Sequence, residues 1–125
     1  MKVAGIGYRS SATLADLRQA LDLLQLQPDA LASLQAKTAA EPLKTLATER
    51  GLPLIALAED DIAGEQTLTC SPRIKARFAT GSLAEAAALV GARQTRPGAR
   101  ARLIAPRIVT ANGLATAALA ERLDP

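Results

Sequence analysis

Histidine and tryptophan are absent from this 125-residue chain, and cysteine, tyrosine and phenylalanine occur once each. Without histidine, the commonest metal ligand and the commonest general base are both missing. A zinc site or a Ser-His-Asp triad within one chain is thereby excluded, and no metal or other cofactor is expected. The lone Cys70 permits neither an intrachain disulfide nor a thiolate metal cluster. With no partner base, it reads as a small buried side chain or a chance surface thiol rather than a nucleophile. Tyr8 and Phe78 are the only aromatics, so few rings exist to stack nucleobases, and no RRM, KH or helix-turn-helix pattern appears. No apolar run approaches the roughly 20 residues of a membrane span. Residues 1–8 also lack the apolar segment and cleavage pattern of a signal peptide. The expectation is one cytoplasmic domain over residues 1–125, with neither membrane nor nucleic acid as partner.

What the chain does have is aliphatic bulk and segregated charge. Apolar residues make up 49% of it, so Ala, Leu, Ile and Val must build the core. The formal charge of +3 hides an asymmetry. Residues 66–107 carry eight basic side chains and one acid, Glu85, a net of +7. The remainder carries seven basic and eleven acidic side chains, a net of −4. Such a distribution fits either an anionic partner on the later surface or a solvated surface with a sequence-level bias.

Order along the chain begins with Lys2 to Tyr8, a short apolar run that predicts a buried strand. Gly5-Ile6-Gly7-Tyr8-Arg9-Ser10-Ser11-Ala12-Thr13 is then a strand, a glycine turn and a hydroxyl-rich helix start. Thr13-x-x-Asp16 forms a capping box with Asp in the usual Glu position. Leu14, Leu17, Leu21 and Leu24 define the buried face of the helix that follows. A helical turn is predicted over 29–32 and a second strand over 33–38. Glu41-Pro42 opens a helix that Gly51 ends, and Pro53 to Leu57 is a third strand. Glu59 to Ile62 starts a short helix, 63–72 is a loop, and Ser71-Pro72 caps a helix running toward Phe78. Ser82-x-x-Glu85 reads as a full capping box for an alanine-rich helix ended by Gly91. Residues 101–104 and 114–119 are the final strands, with Pro106 to Gly113 and its Asn112-Gly113 pair as the connection. For 115–120, alanine leaves helix as an alternative to strand.

This alternation predicts an α/β domain: a mostly parallel, mixed sheet of about five strands, helices on both faces and a C-terminal antiparallel hairpin. Ligands of such sheets sit outside the carboxyl ends of the strands. The loops at 7–13, 37–41 and 58–60 are expected to share that edge.

The Gly5–Thr13 turn offers backbone N–H groups, hydroxyls and the Arg9 guanidinium at a helix start, a chemistry suited to an anion. Two other readings stand beside it. One is a purely structural turn. The other is a dinucleotide fingerprint, which lacks its third glycine and the acid about twenty residues later. Thr80-Gly81-Ser82 with Glu85 is either simple capping or a second anion-binding helix start. Lys37 and Glu41, after a predicted strand, form either a functional pair or an exposed ion pair.

Taken together, several short motifs resemble the CobE/CbiG C-terminal domain family of cobalamin biosynthesis. These are Gly5-Ile6-Gly7-Tyr8-Arg9 with Thr13, Lys37-Thr38 with Glu41-Pro42, and Gly51-Leu52-Pro53-Leu54. They continue with Thr80-Gly81-Ser82-Leu83-Ala84-Glu85-Ala86-Ala87-Ala88, Leu103-Ile104-Ala105-Pro106-Arg107 and Thr116-Ala117-Ala118-Leu119-Ala120. The resemblance implies a role in building the corrin ring, in the stand-alone CobE-like form. In longer CbiG proteins, the whole protein opens a lactone on a cobalt-precorrin and releases a two-carbon fragment. Precorrins are apolar macrocycles edged with carboxylates, so the implied ligand is a precorrin or hydrogenobyrinic-type intermediate. The residues assigned to it are Gly5, Gly7, Arg9, Ser10, Ser11, Thr13, Thr80, Gly81, Ser82, Glu85, Arg107 and Thr116. Three roles follow from the resemblance: a carrier of that intermediate, an enzyme using Lys37 and Glu41 as acid and base, or an accessory partner of other pathway enzymes.

Overall fold

The computed structural model describes residues 1–96 and 98–123. Five strands, β1 (Lys2–Tyr8), β2 (Ala30–Leu34), β3 (Leu54–Leu57), β4 (Arg100–Val109) and β5 (Ala115–Leu123), form one sheet in the order β3-β2-β1-β5-β4. β1 pairs parallel with β2, and β2 with β3. β5 runs antiparallel to both β1 and β4, so four of the five strands point the same way. The expected α/β domain with a mixed sheet and a terminal hairpin is therefore observed.

Period-two alternation in β1 assigns its two faces. Ala4 and Ile6 join the cluster that holds Leu17, Leu21, Leu43 and Leu46. Those leucines belong to α1 (Leu14–Leu23) and α3 (Glu41–Arg50). Arg50 reaches Asp22 at 3.0 Å, and Arg18 pairs with Glu49, which ties these two helices together. Val3 faces the other way, into a cluster with Ala30, Ala32, Leu57 and the alanines of α6 (Leu83–Gln94). α2 (Gln35–Thr38), α4 (Glu59–Ile62) and α5 (Pro72–Phe78) are short connectors, and α5 has no buried residue.

Close approach explains the alanines and two of the glycines. A Cβ on Gly5 would lie 1.9 Å from the Ala84 carbonyl oxygen and 2.5 Å from the Ala88 nitrogen. On Gly91 it would lie 2.8 Å from Ala32 Cβ. The helix α6 can rest on β1 only because these side chains are missing.

The structure shifts several sequence expectations. Residues 30–34 are strand and 35–38 helix, the reverse of the predicted order. Alanine favours helix locally, yet Ala30, Leu31 and Ala32 are fully buried between two parallel neighbours, and tertiary pairing wins. Helix α6 does not stop at Gly91 but continues to Gln94, because that glycine serves packing rather than a cap. Similarly, β4 extends through Pro106 to Val109, tolerated on an edge strand whose register shifts twice, between Leu103 and Ala105 and again before Ile108. Residues 115–120 are strand: Ala115, Ala117 and Leu119 face the cluster of α1 and α3, while Ala120 faces the cluster of α6.

The reversal at 110–114 is held by Asn112, whose Oδ1 accepts from the Thr110 hydroxyl at 2.7 Å and the Leu114 N–H at 3.0 Å. At the opposite edge of the sheet, Lys2 stands beside Glu121, and the Arg122 N–H donates to the Met1 carbonyl at 2.9 Å. No helix among the described residues is long and apolar enough to cross a membrane.

Candidate functional site

Where the parallel strands end, a cleft of about 590 Å³ opens. Its floor is Gly7 and Tyr8 of β1, Ser82 and Leu83 at the start of α6, and Thr116 of β5. Four walls rise from separate parts of the chain. Arg9 and Ser10 stand beside Gly113 and Leu114 of the hairpin turn, Lys37 comes from α2, Arg107 and Val109 from β4, and Ser71, Arg73, Ile74 and Phe78 from α5.

Charge in the cleft has one sign. Among the described residues, Arg9, Lys37, Arg73 and Arg107 line it, and no Asp or Glu does. Arg9, Arg73 and Arg107 make no ion pair among the described residues. Leu83, Leu114, Ile74, Phe78 and Val109 supply apolar surface between the cations. The arrangement is suited to a ligand with apolar body and several negative groups, since unpaired cations around an apolar surface attract and orient anions.

Each wall has a physical anchor. The Arg9 N–H donates to the Leu114 carbonyl at 2.9 Å, which joins the β1 turn to the hairpin. The Tyr8 hydroxyl donates to the Lys37 carbonyl at 2.7 Å, and the Lys37 ammonium lies 4.7 Å from the centre of the Tyr8 ring. Burial pushes the Tyr8 phenol above its ordinary pKa, so it is a neutral donor near neutral pH. Ser82 caps α6 by accepting from the Glu85 N–H at 3.3 Å, and the Thr116 hydroxyl donates to the Gly7 carbonyl at 3.2 Å.

Sequence expectations and the cleft overlap in part. Gly7, Arg9, Ser10, Ser82, Arg107, Thr116 and Lys37 line it. Gly5 lies under α6, and Gly81 is wedged against the 67–70 loop, where a Cβ would sit 2.5 Å from the Thr67 hydroxyl oxygen. Thr80 is buried and donates to the Glu65 carbonyl at 2.7 Å. Ser11 is exposed outside the cleft. Thr13 caps α1 in a reciprocal box with Asp16, as expected. The Asp16 carboxyl is held below its ordinary pKa, first by the Thr13 N–H and next by the Asn112 amide at 2.7 Å. Glu41 turns to Lys44 of its own helix, at 4.0 Å, rather than to Lys37. Cys70 is exposed.

Glu85 departs from the expected capping box. Its backbone N–H reaches Ser82, but its carboxylate does not return to the Ser82 N–H. That carboxylate is 0% exposed and accepts three other bonds: the Thr69 N–H at 2.9 Å, the Thr69 hydroxyl at 3.1 Å and the Arg107 N–H at 2.8 Å.

Sequence reasoning passed over Tyr8, Leu83, Val109, Gly113 and Leu114 as site residues, and the whole wall formed by Ser71, the N-cap of α5, with Arg73, Ile74 and Phe78 on that helix. Arg73 was visible in the basic half, but a helix with no buried stripe carries no signal of where it packs. No group of three or more His, Cys, Asp or Glu side chains among the described residues is placed to hold a metal ion.

Fold and cleft together define a small α/β protein with an acid-free cationic cleft at the carboxyl ends of its parallel strands. Residues 2–120 match the family described as cobalamin synthesis G C-terminus. The chain is 31% identical to CobE, a protein from the cobalamin (vitamin B12) biosynthetic pathway, with a TM-score of 0.81 over 99% of this chain and 91% of that one. It is also 31% identical to the cobalamin biosynthesis protein chiG from Agrobacterium tumefaciens, with a TM-score of 0.69 over 99% of this chain and 100% of that one. Comparison with curated protein sequences gives no match. The chain belongs to the CobE/CbiG C-terminal family and is a cobalamin biosynthesis protein.

Proposed function

We propose that the cleft binds a precorrin or hydrogenobyrinic-type intermediate by its peripheral carboxylates, and that the chain serves the pathway as a carrier or accessory factor. One observation carries this reading: four cations and no acid surround an open, partly apolar cleft. Corrin precursors pair an apolar ring with several carboxylate arms, and bidentate guanidinium contacts suit those arms. The chain has no histidine, and the described residues that line the cleft include no Asp or Glu, which leaves only Lys37 and Tyr8 as acid–base side chains there. Binding is therefore favoured over a lactone hydrolysis of the CbiG kind. Handover to another pathway enzyme would use the open side of the same cleft.

Titration with hydrogenobyrinic acid, followed by the absorbance of the bound chromophore, tests the reading. Saturable binding is expected, weakened by added salt because the cations are partly exposed, and weakened about tenfold by removing either Arg73 or Arg107, the loss of one charge-assisted contact. No binding of this or any pathway tetrapyrrole would reject the proposal. Release of a two-carbon fragment from a precorrin lactone by the purified protein would replace it with the hydrolase.

A further inference from the structure

The buried Glu85 carboxylate does not line the cleft, yet it makes contacts that capping does not explain. It sits in the first turn of α6, fully buried, and every hydrogen bond to it comes from a group that carries no formal charge. Two come from Thr69, in the loop four residues before Arg73, and one from the backbone of Arg107. Thr69 leads into α5, which contributes no buried residue of its own. Arg107 lies in the stretch of β4 between Ala105 and Ile108, where the register with β5 is broken. A strand irregularity of this kind re-aims a side chain, and its freed backbone groups need partners. One carboxylate thus fastens the two segments that bring Arg73 and Arg107 to the cleft. Its oxygens are occupied by N–H and O–H donors, so neither guanidinium is neutralised by it.

Building on the reading that the cleft binds a polycarboxylate, we propose that Glu85 is a positioning residue: it never touches the ligand but fixes Arg107 against the Thr69–Arg73 limb, so that the two cations meet carboxylates at a set spacing. A buried carboxylate does this better than an amide, because it accepts at both oxygens. In Glu85→Gln, one set of donors would face an NH₂ group.

The test measures the affinity for hydrogenobyrinic acid of wild type, Glu85→Gln and Thr69→Val, each also combined with Arg107→Ala and, separately, with Arg9→Ala. Thr69→Val removes one hydroxyl donor at a half-buried position and keeps the proposal testable should Glu85→Gln fail to fold. Glu85→Gln is expected to weaken binding about tenfold and Thr69→Val about threefold, as charge-assisted hydrogen bonds are lost. In the Arg107→Ala background both effects should shrink below about twofold, whereas with Arg9→Ala they should persist in full. A merely structural role would weaken binding equally in both backgrounds, and that result overturns the proposal. So does unchanged affinity of both single variants in a protein whose wild type binds. Failure of the wild type to bind would instead remove the reading beneath it.

Discussion

Gly5 offers the sharpest test of how this fold and its cleft are divided. Gly5→Ala adds one methyl group, 1.9 Å from the Ala84 carbonyl oxygen and 2.5 Å from the Ala88 nitrogen. Both are backbone atoms of a helix, so no side chain can swing aside. Restoring ordinary carbon contacts requires α6 to lift by roughly 1.5 Å at this point. Around the crossing, Ala84, Ala86, Ala87 and Ala88 are all at most 3% exposed, and a gap of that size forfeits much of their dispersion contact. Overpacking in a well-filled core costs about 1–3 kcal/mol. A backbone clash with no relief belongs at the upper end, about 3 kcal/mol or more, a large part of the ~5–15 kcal/mol that holds a domain together. For a chain of this length the expected fall in melting temperature is about 10–15 °C. Far-UV circular dichroism on heating, with urea unfolding as a second measure, reads it. Gly64→Ala is the control: its φ of +80° disfavours a side chain, but nothing lies within 4 Å, so the cost there is about 1 kcal/mol. A Gly5→Ala protein that melts within about 3 °C of wild type, or above Gly64→Ala, would refute the packing argument. Loss of ligand binding without loss of stability would go further and return Gly5 to the anion-binding turn.

Two other predictions rest on the helix starts. Ser82→Ala removes the hydroxyl that accepts the Glu85 N–H inside the protein and should cost about 1–2 kcal/mol in urea unfolding. Asp16 has a depressed folded pKa, so its contribution to stability is present above its unfolded value and is lost as the pH falls through the folded one. Carboxyl carbon NMR should find Asp16 titrating below the ordinary aspartate range. Asn112→Ala should raise it only part of the way, because the hydrogen bond from the Thr13 N–H, the larger cause of the lowering, remains. A full return to the ordinary value would reverse that ranking.

Legibility of the fold followed the locality of its causes. β1 and α1 were readable because a short apolar run, a capping box and a leucine stripe are all written within a few residues. Strand β2 was displaced in the reading because Ala30-Leu31-Ala32 favours strand only between β1 and β3, a condition that lies elsewhere in the chain. The same holds for β5, whose alanines are strand only because they are buried on both faces between β1 and β4. In the cleft, Arg9 and Ser10 could be found beside the glycine turn. Arg73, Ile74 and Phe78 could not, since α5 is placed by its ends rather than by an apolar face. Glu85 was misassigned for a related reason. Three residues after a serine, a glutamate has the same pattern whether it closes a capping box or reaches across to Thr69 and Arg107.

The pairing of the first and last strands has a practical consequence. Lys2 and Glu121 are neighbours, Arg122 is bonded to Met1, and both lie at the edge of the sheet away from the cleft. A surface tether attached through Lys2 or Glu121 would hold the protein by that end of the sheet and leave the cationic mouth facing solution. On the proposed reading, protein immobilised from that end is expected to capture hydrogenobyrinic acid as well as free protein does.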